Sequence, residues 1–240
     1  MNRTGGDATA RRNRFTLAAL AVVLWAGLPF ASPASAQHAH SHKDHSFADT
    51  AKWASQFDDP ARDAWQKPHE VLEALALTPR MAVVDIGSGT GYFTMRIARH
   101  VPAGTVTGVD AEPQMVLHLR QRAAKEGLKN VVARQGKPDT AGLAPKSADL
   151  VLLVDTYHHI DRRVAYFTRL REALRPGGRL AVIDFRPDAP NGPPPAERIG
   201  VAQVKAELAE AGFRQSKEFD FLPNQFFLMF EAAPGKMGQK

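Results

Sequence analysis

Beyond residue 79 the chain alternates short apolar runs with longer stretches in which apolar residues recur every three or four positions. Short unbroken apolar runs read as strands buried on both faces, and the periodic stretches read as amphipathic helices. Strands are expected over 82–86, 105–109, 131–134, 149–154 and 180–185, with helices over 92–100, 113–126 and 162–174. Residues 135–146 lack either period and are expected to be irregular. Pro176-Gly177-Gly178 predicts a sharp turn into the fifth strand. A helix over 201–211 is stopped by Gly212, and two apolar runs, 213–221 and 225–231, flank Leu222-Pro223-Asn224. That ending predicts an antiparallel pair attached to an otherwise parallel core. The fold expected is α/β: a mostly parallel, twisted sheet with helices on both faces and a C-terminal antiparallel strand.

Ahead of this domain (79–240), residues 47–78 carry Trp53, Phe57, Trp65, Val71, Leu72 and Leu75 around a break at Asp58-Asp59-Pro60. Two short amphipathic helices forming a cap explain those spacings, and the three aromatics read as packing residues in preference to a lid. Residues 37–46 place His38, His40, His42 and His45 among small polar residues with nothing to bury, the composition of a flexible tail. Such imidazoles bind divalent Cu, Ni or Zn weakly, but without fixed geometry they assign no specific metal site. The first 36 residues set Arg3, Arg11, Arg12 and Arg14 before an apolar run, 15–28, and end on Ala34-Ser35-Ala36. This is the pattern of a signal peptide cleaved after Ala36. The run is shorter than the roughly 20 residues that span a bilayer, so a permanent membrane helix is the weaker reading. The expected location is periplasmic or secreted, by the Sec route in preference to twin-arginine export.

Processing changes the charge picture. The full chain carries a net +6, but the first 36 residues remove four basic and one acidic residue, leaving +3. A balance that small gives no concentrated basic face, so no nucleic-acid partner is expected. With no cysteine, the protein has neither disulfides nor thiolate chemistry, and burial of apolar surface must hold the fold.

The candidate chemistry begins between the first strand and its helix, at Gly87-Ser88-Gly89-Thr90-Gly91. Glycines there allow a tight turn and let a ligand approach backbone N–H groups at a helix start. The G-x-G-x-G spacing differs from the G-x-G-x-x-G of dinucleotide enzymes, which disfavours a nicotinamide oxidoreductase. Asp110 closes the second strand at the carboxyl edge, where a carboxylate accepts hydrogen bonds from ribose hydroxyls, implying a nucleoside ligand.

Four blocks in order, DIGSGTGYF, GVDAEPQM, DLVLLVDTYHHI and LRPGGRLAVIDF, resemble the motifs of the class I S-adenosylmethionine (SAM)-dependent methyltransferases, particularly the type 11 group. The resemblance implies a Rossmann-like fold with SAM as cofactor. It implies that Asp85, Gly87, Gly89 and Gly91 surround the methionine part, that Asp110 holds the ribose, and that Ala111, Glu112 and Met115 lie near the adenosine. Where many relatives carry Gly-Asp-Ala after strand three, this chain has Gly136-Lys137-Pro138-Asp139, making Asp139 the substitute for the adenine-binding acid.

Asp155-Thr156-Tyr157-His158-His159 follows strand four at the same edge. Methyl transfer from a sulfonium needs an aligned acceptor and, for an O–H or N–H⁺ nucleophile, a base. His158 is the first candidate and His159 the second; Tyr157 and Asp155 are acceptor-orienting or cofactor-side groups, and a structural histidine pair competes with the catalytic reading. Arg186 and Arg198 could meet an anionic acceptor, against the plainer reading of solvated arginines. The leading function is methyl transfer to an O or N atom of a small molecule or envelope component. The alternative is an exported nucleoside- or SAM-binding module without that activity.

Overall fold

The computed structural model describes residues 50–137 and 139–234. The expected signal peptide and the stretch with His38, His40, His42 and His45 lie outside the described residues. The elements run α1 (Thr50–Phe57), α2 (Arg62–Gln66), α3 (Pro68–Leu75), β1 (Ala82–Ile86), α4 (Tyr92–His100), β2 (Thr105–Asp110), α5 (Pro113–Lys125), β3 (Val131–Gln135) and β4 (Ala148–Val154). The chain continues through α6 (Arg163–Ala173), β5 (Leu174–Phe185), α7 (Val201–Glu210), β6 (Phe213–Phe219) and β7 (Gln225–Ala232). The strands form one seven-stranded sheet in the order β3-β2-β1-β4-β5-β7-β6. β1 to β5 pair in parallel, while β7 pairs antiparallel with both β5 and β6. The mixed, mostly parallel sheet expected from the apolar pattern is the one observed, with the Rossmann-like arrangement that the resemblance implies.

Side chains alternate across a strand, so central strands that are apolar at every position feed two cores. Val84, Ile86, Val151, Leu153, Leu180 and Val182 pack on one face with Tyr166, Phe167 and Leu170 of α6 and Val204 and Leu208 of α7. Val83, Leu150, Leu152, Ala181 and Ile183 pack on the other with Val71, Leu72 and Leu75 of α3 and Phe93 and Ile97 of α4. α5 adds Leu119 and Ala123 against Met95.

Three details depart from expectation. The cap holds three helices, because Lys67 takes a left-handed conformation (φ 45°) and Pro68 then starts α3, dividing what reads as one helix. Pro176-Gly177-Gly178 lies inside a long β5: pairing steps from Ala148 with Leu174 to Leu150 with Arg179, so the expected turn is a bulge within the strand. The C-terminal pair inserts β7 beside β5 and leaves β6 at the edge. Among the described residues no helix joins β3 to β4, and none is long and apolar enough to cross a membrane.

Candidate functional site

The carboxyl ends of β1, β2, β4 and β5 converge where the strand order reverses from β1 to β4, the place at which open α/β sheets form a crevice. Past β1, the backbone N–H groups of Gly87 and Ser88 both donate to the Val109 carbonyl, at 2.8 and 3.1 Å, folding the loop back over β2. Gly87 has φ 72°, and a Cβ there would collide with Thr156, so the loop touches the end of β4 only because position 87 has no side chain. Gly91 caps α4.

Asp110 holds the loop from the second strand. Its Oδ2 accepts the Gly89 N–H at 2.8 Å and its Oδ1 accepts the Glu112 N–H at 3.0 Å. A carboxylate has about four acceptor directions, so capacity remains for two hydroxyl donors. Burial pushes the Asp110 carboxyl above its ordinary range against those backbone bonds. Asp85 is buried and accepts the Thr94 hydroxyl at 2.6 Å. Burial, opposed by that bond and reinforced by the charge of Asp110, lifts its carboxyl to about 6. Among the described residues Ser88 Oγ is a buried polar atom with no partner.

The other half of the site is built on β4 and β5. Asp155 is itself left-handed (φ 53°), and its carboxylate accepts Gln225 Nε2 and faces Arg62 at 3.5 Å. Burial raises this carboxyl while Arg62 opposes it. His158 is set against Asp184: Nδ1 lies 2.9 Å from both carboxylate oxygens, and its backbone N–H donates to Oδ2 at 3.2 Å. Both side chains are nearly inaccessible, at 4% and 5%. The His159 ring sits 4.0 Å from that of His158. Tyr157 turns the other way, stacking on Phe167 and donating its hydroxyl to Glu207 of α7 at 2.6 Å.

Helices α1 and α2 close over this edge. Phe57 lies 3.5 Å from where a Cβ of Gly89 would stand, and Asp58 accepts the Thr90 hydroxyl at 3.1 Å and Arg122 at 2.8 Å. Arg62 donates to Gln66 at 3.0 Å, and Gln66 donates to Gln225 at 2.6 Å, so a buried polar chain links α2 to β7 and Asp155. Trp53 packs on Phe57 and Trp65 on Phe185.

The remaining candidates are placed as follows. Ala111 and Glu112 lead into α5, where Met115 is buried. Asp139 is exposed in the turn beyond β3; its carbonyl accepts Arg169 at 2.8 Å, while the neighbouring Gly136 N–H donates to the Asp110 carbonyl at 2.9 Å. Arg186 and Arg198 are spent on backbone carbonyls, Arg186 on Leu222 and Gln225 at 3.1 Å and Arg198 on Pro193 and Ala189 at 2.8 and 2.6 Å. Arg186, 35% exposed, also faces Asp188 at 3.6 Å. Asp184, Arg62, Gln66 and Gln225 escaped the sequence reading; only Asp184, one acid inside the apolar run Leu180–Phe185, carried a signal there. Among the described residues no group of three or more His, Asp or Glu is placed to hold a metal.

A glycine turn under a helix start and a carboxylate at the end of β2 define a nucleoside-binding α/β protein, with a second acidic edge on β4 and β5 next to it. The acceptor capacity that Asp110 keeps after its two backbone bonds fits the ribose hydroxyls of a nucleoside. The family model described as a methyltransferase domain matches residues 77–222, more than half of the chain. The chain therefore belongs to the class I SAM-dependent methyltransferases, whose methyl donor is SAM. It is 33% identical over 150 residues to an arsenite methyltransferase of Halobacterium salinarum, covering 58% of this chain and 38% of that protein. It is 32% identical over 111 residues to a demethylmenaquinone methyltransferase of Tropheryma whipplei, covering 46% of this chain and 44% of that protein. The chain thus spans under half the length of these curated relatives. Its fold matches the crystal structure of a SAM-dependent methyltransferase from Aquifex aeolicus with a TM-score of 0.72 at 26% identity, over 77% of this chain and 99% of that one.

Proposed function

We propose that this protein is an exported enzyme that transfers the methyl group of SAM to an O or N atom of a small molecule or envelope component. The observation that carries the reading is the glycine loop held by Asp110, a carboxylate with acceptor capacity left at the carboxyl end of β2. In this reading Asp85, Gly87, Gly89 and Gly91 bind the methionine part, Asp110 the ribose, and Ala111, Glu112 and Met115 the adenosine side. Asp139 approaches the adenine from the turn after β3, and Asp155 stands on the cofactor side of the acceptor. SAM supplies the methyl group as an electrophile; the chain's own residues align the acceptor and exclude water. His158 is the base and His159 its neighbour in the acceptor site. Tyr157, with ring and hydroxyl both engaged away from the crevice, is assigned to packing.

Of the acceptors in the names of the two relatives, arsenite is a soft thiophile, and this chain has no cysteine with which to hold it. An organic acceptor fits the site better. Export rests on the basic start, the apolar run and Ala34-Ser35-Ala36, with the mature chain beginning at Gln37.

The test is calorimetric titration of SAM and S-adenosylhomocysteine into wild type and Asp110→Ala. Removing a charged hydrogen-bond acceptor predicts a loss of affinity on the order of 10²-fold. Equal affinity in the two proteins would contradict the assigned ribose site, and no binding by folded wild type would contradict the reading as a whole.

A further inference from the structure

Asp184 is a buried carboxylate inside a strand of the parallel core, 3% exposed, and burying a charge there is costly unless it is paired and hydrogen-bonded. Its oxygens take the Phe185 N–H at 2.8 Å, the His158 N–H at 3.2 Å and His158 Nδ1 at 2.9 Å. An ionised carboxylate only accepts, so Nδ1 must carry the proton in this arrangement. The other ring nitrogen, Nε2, has no hydrogen-bond partner among the described residues. A carboxylate on one imidazole nitrogen, with the other unbonded in a ring that is 4% exposed at the carboxyl edge of the sheet, is the geometry of an oriented base.

We infer that Asp184 is the positioning residue of this site: by accepting the Nδ1 proton it fixes the His158 ring so that Nε2 takes a proton from the acceptor. The inference rests on the methyl-transfer reading and narrows its substrate class to acceptors that carry a proton on the reacting atom, a hydroxyl or an ammonium. The acceptor's proton passes to Nε2, from a hydroxyl during the transfer and from an ammonium before it, and the acceptor's lone pair forms the bond to the methyl carbon as the carbon–sulfur bond breaks toward sulfur. With a hydroxyl the positive charge lost from sulfur reappears on the imidazolium; with an ammonium the methylated product keeps it and the imidazolium holds the charge the ammonium brought, in both cases paired with Asp184. Bond formation to an acceptor with no proton to lose would leave this pair without work.

The charged surroundings agree with that role. Burial depresses the proton affinity of His158, but the hydrogen bond and charge of Asp184 on β5, then Asp155 after β4 and Glu197 in the 195–197 turn, outweigh it and raise the imidazole above its usual range. Arg62 of α2 faces Asp155, and His159 adjoins in the same turn. A base strengthened in this way ionises during turnover at lower cost, and protonation of the resting enzyme then limits activity on the acid side.

The experiment is nitrogen NMR of the full chain with ¹⁵N-labelled histidine, the His158 signals being assigned by their loss in His158→Gln. Neutral His158 is expected with Nδ1 protonated and Nε2 bare, titrating above the usual value of about 6.5. A neutral ring with its proton on Nε2 overturns the proposal, and that reading needs no variant at Asp184 to fold. Asp184→Asn is expected to lower the His158 pKa by about one unit or more while leaving S-adenosylhomocysteine affinity within about two-fold. In turnover the same variant moves the acid limb of the kcat profile down by the same amount and lowers kcat about 10-fold or more, with the KM for SAM unchanged. A limb that does not move, at wild-type kcat, reduces the pair to a structural contact and overturns the proposal. Absence of S-adenosylhomocysteine binding to wild type would sink the methyl-transfer reading instead, and the tautomer measurement reports separately.

Discussion

Asp85 shows how the site trades stability for a ligand. It is buried at 3% exposure with the Thr94 hydroxyl donating to it, and its carboxyl is lifted from 3.8 to about 6. A raised carboxyl pKa means the folded state holds the proton longer than the unfolded chain. The contribution is therefore complete below about pH 4 and is lost as pH rises through 6, a change of about 3 kcal/mol at 1.36 kcal/mol per unit. Asp85→Asn keeps an acceptor for Thr94 without the charge. It is expected to match wild type in urea unfolding at pH 4 and to exceed it at pH 8, while losing affinity for SAM; equal stability at both pH values would show that the buried charge costs nothing. Several of these residues could be seen from the sequence, since Asp85 sits inside an apolar run and Asp110, Asp155 and His158 end or follow one. Arg62, Gln66 and Gln225 could not, because their partners lie up to 159 residues away and no local pattern marks a buried amide pair. The carbonyl bonds of Arg186 and Arg198 went unread for a related reason: an arginine bound to loop carbonyls and one bound to water look the same in a sequence.

At the scale of elements, the loop after β1 is where local conformation and tertiary contact demand the same residue. Gly87→Ala meets two penalties, a left-handed φ worth about 1–2 kcal/mol to a side chain and the collision with Thr156. The variant is expected to bind SAM at least about 10-fold more weakly by calorimetry. Thr156→Ala does not rescue it, because the Thr156 Cβ itself lies 2.8 Å from the new methyl position. Wild-type affinity in Gly87→Ala would show that the loop is not shaped by this contact. Strands and helices of the sheet were legible because each carries its own period, an unbroken apolar run at Leu150–Val154 of β4 and Leu180–Ile183 of β5 and a repeat every three or four residues for α4 and α5. The division between α2 and α3 was not, since it depends on Lys67 adopting φ 45° before Pro68. The bulge in β5 was read as a turn because Pro176-Gly177-Gly178 encodes a break in pairing, not how many partners resume beyond it.

Over the whole molecule, parallel pairing of β1, β2, β4 and β5 brings the ends of separated segments to one edge, so Asp85, Asp110, Asp155 and Asp184 assemble although nearly 100 residues of chain separate the first from the last. The mostly parallel sheet followed from the alternating pattern, whereas its strand order and the polar chain joining α2 to β7 are products of the assembled fold. The fold alone does not fix chemistry, and a nucleoside-binding module would keep the same crevice. The separating measurement is transfer of label from methyl-labelled SAM, with the protein at saturating cofactor and a set of hydroxyl- and amine-bearing acceptors that includes envelope extract. Labelled acceptor and S-adenosylhomocysteine formed in equal amounts, both lost in Asp110→Ala, are predicted. Saturable S-adenosylhomocysteine binding with no label moved to any acceptor would contradict the enzyme and leave a binding protein.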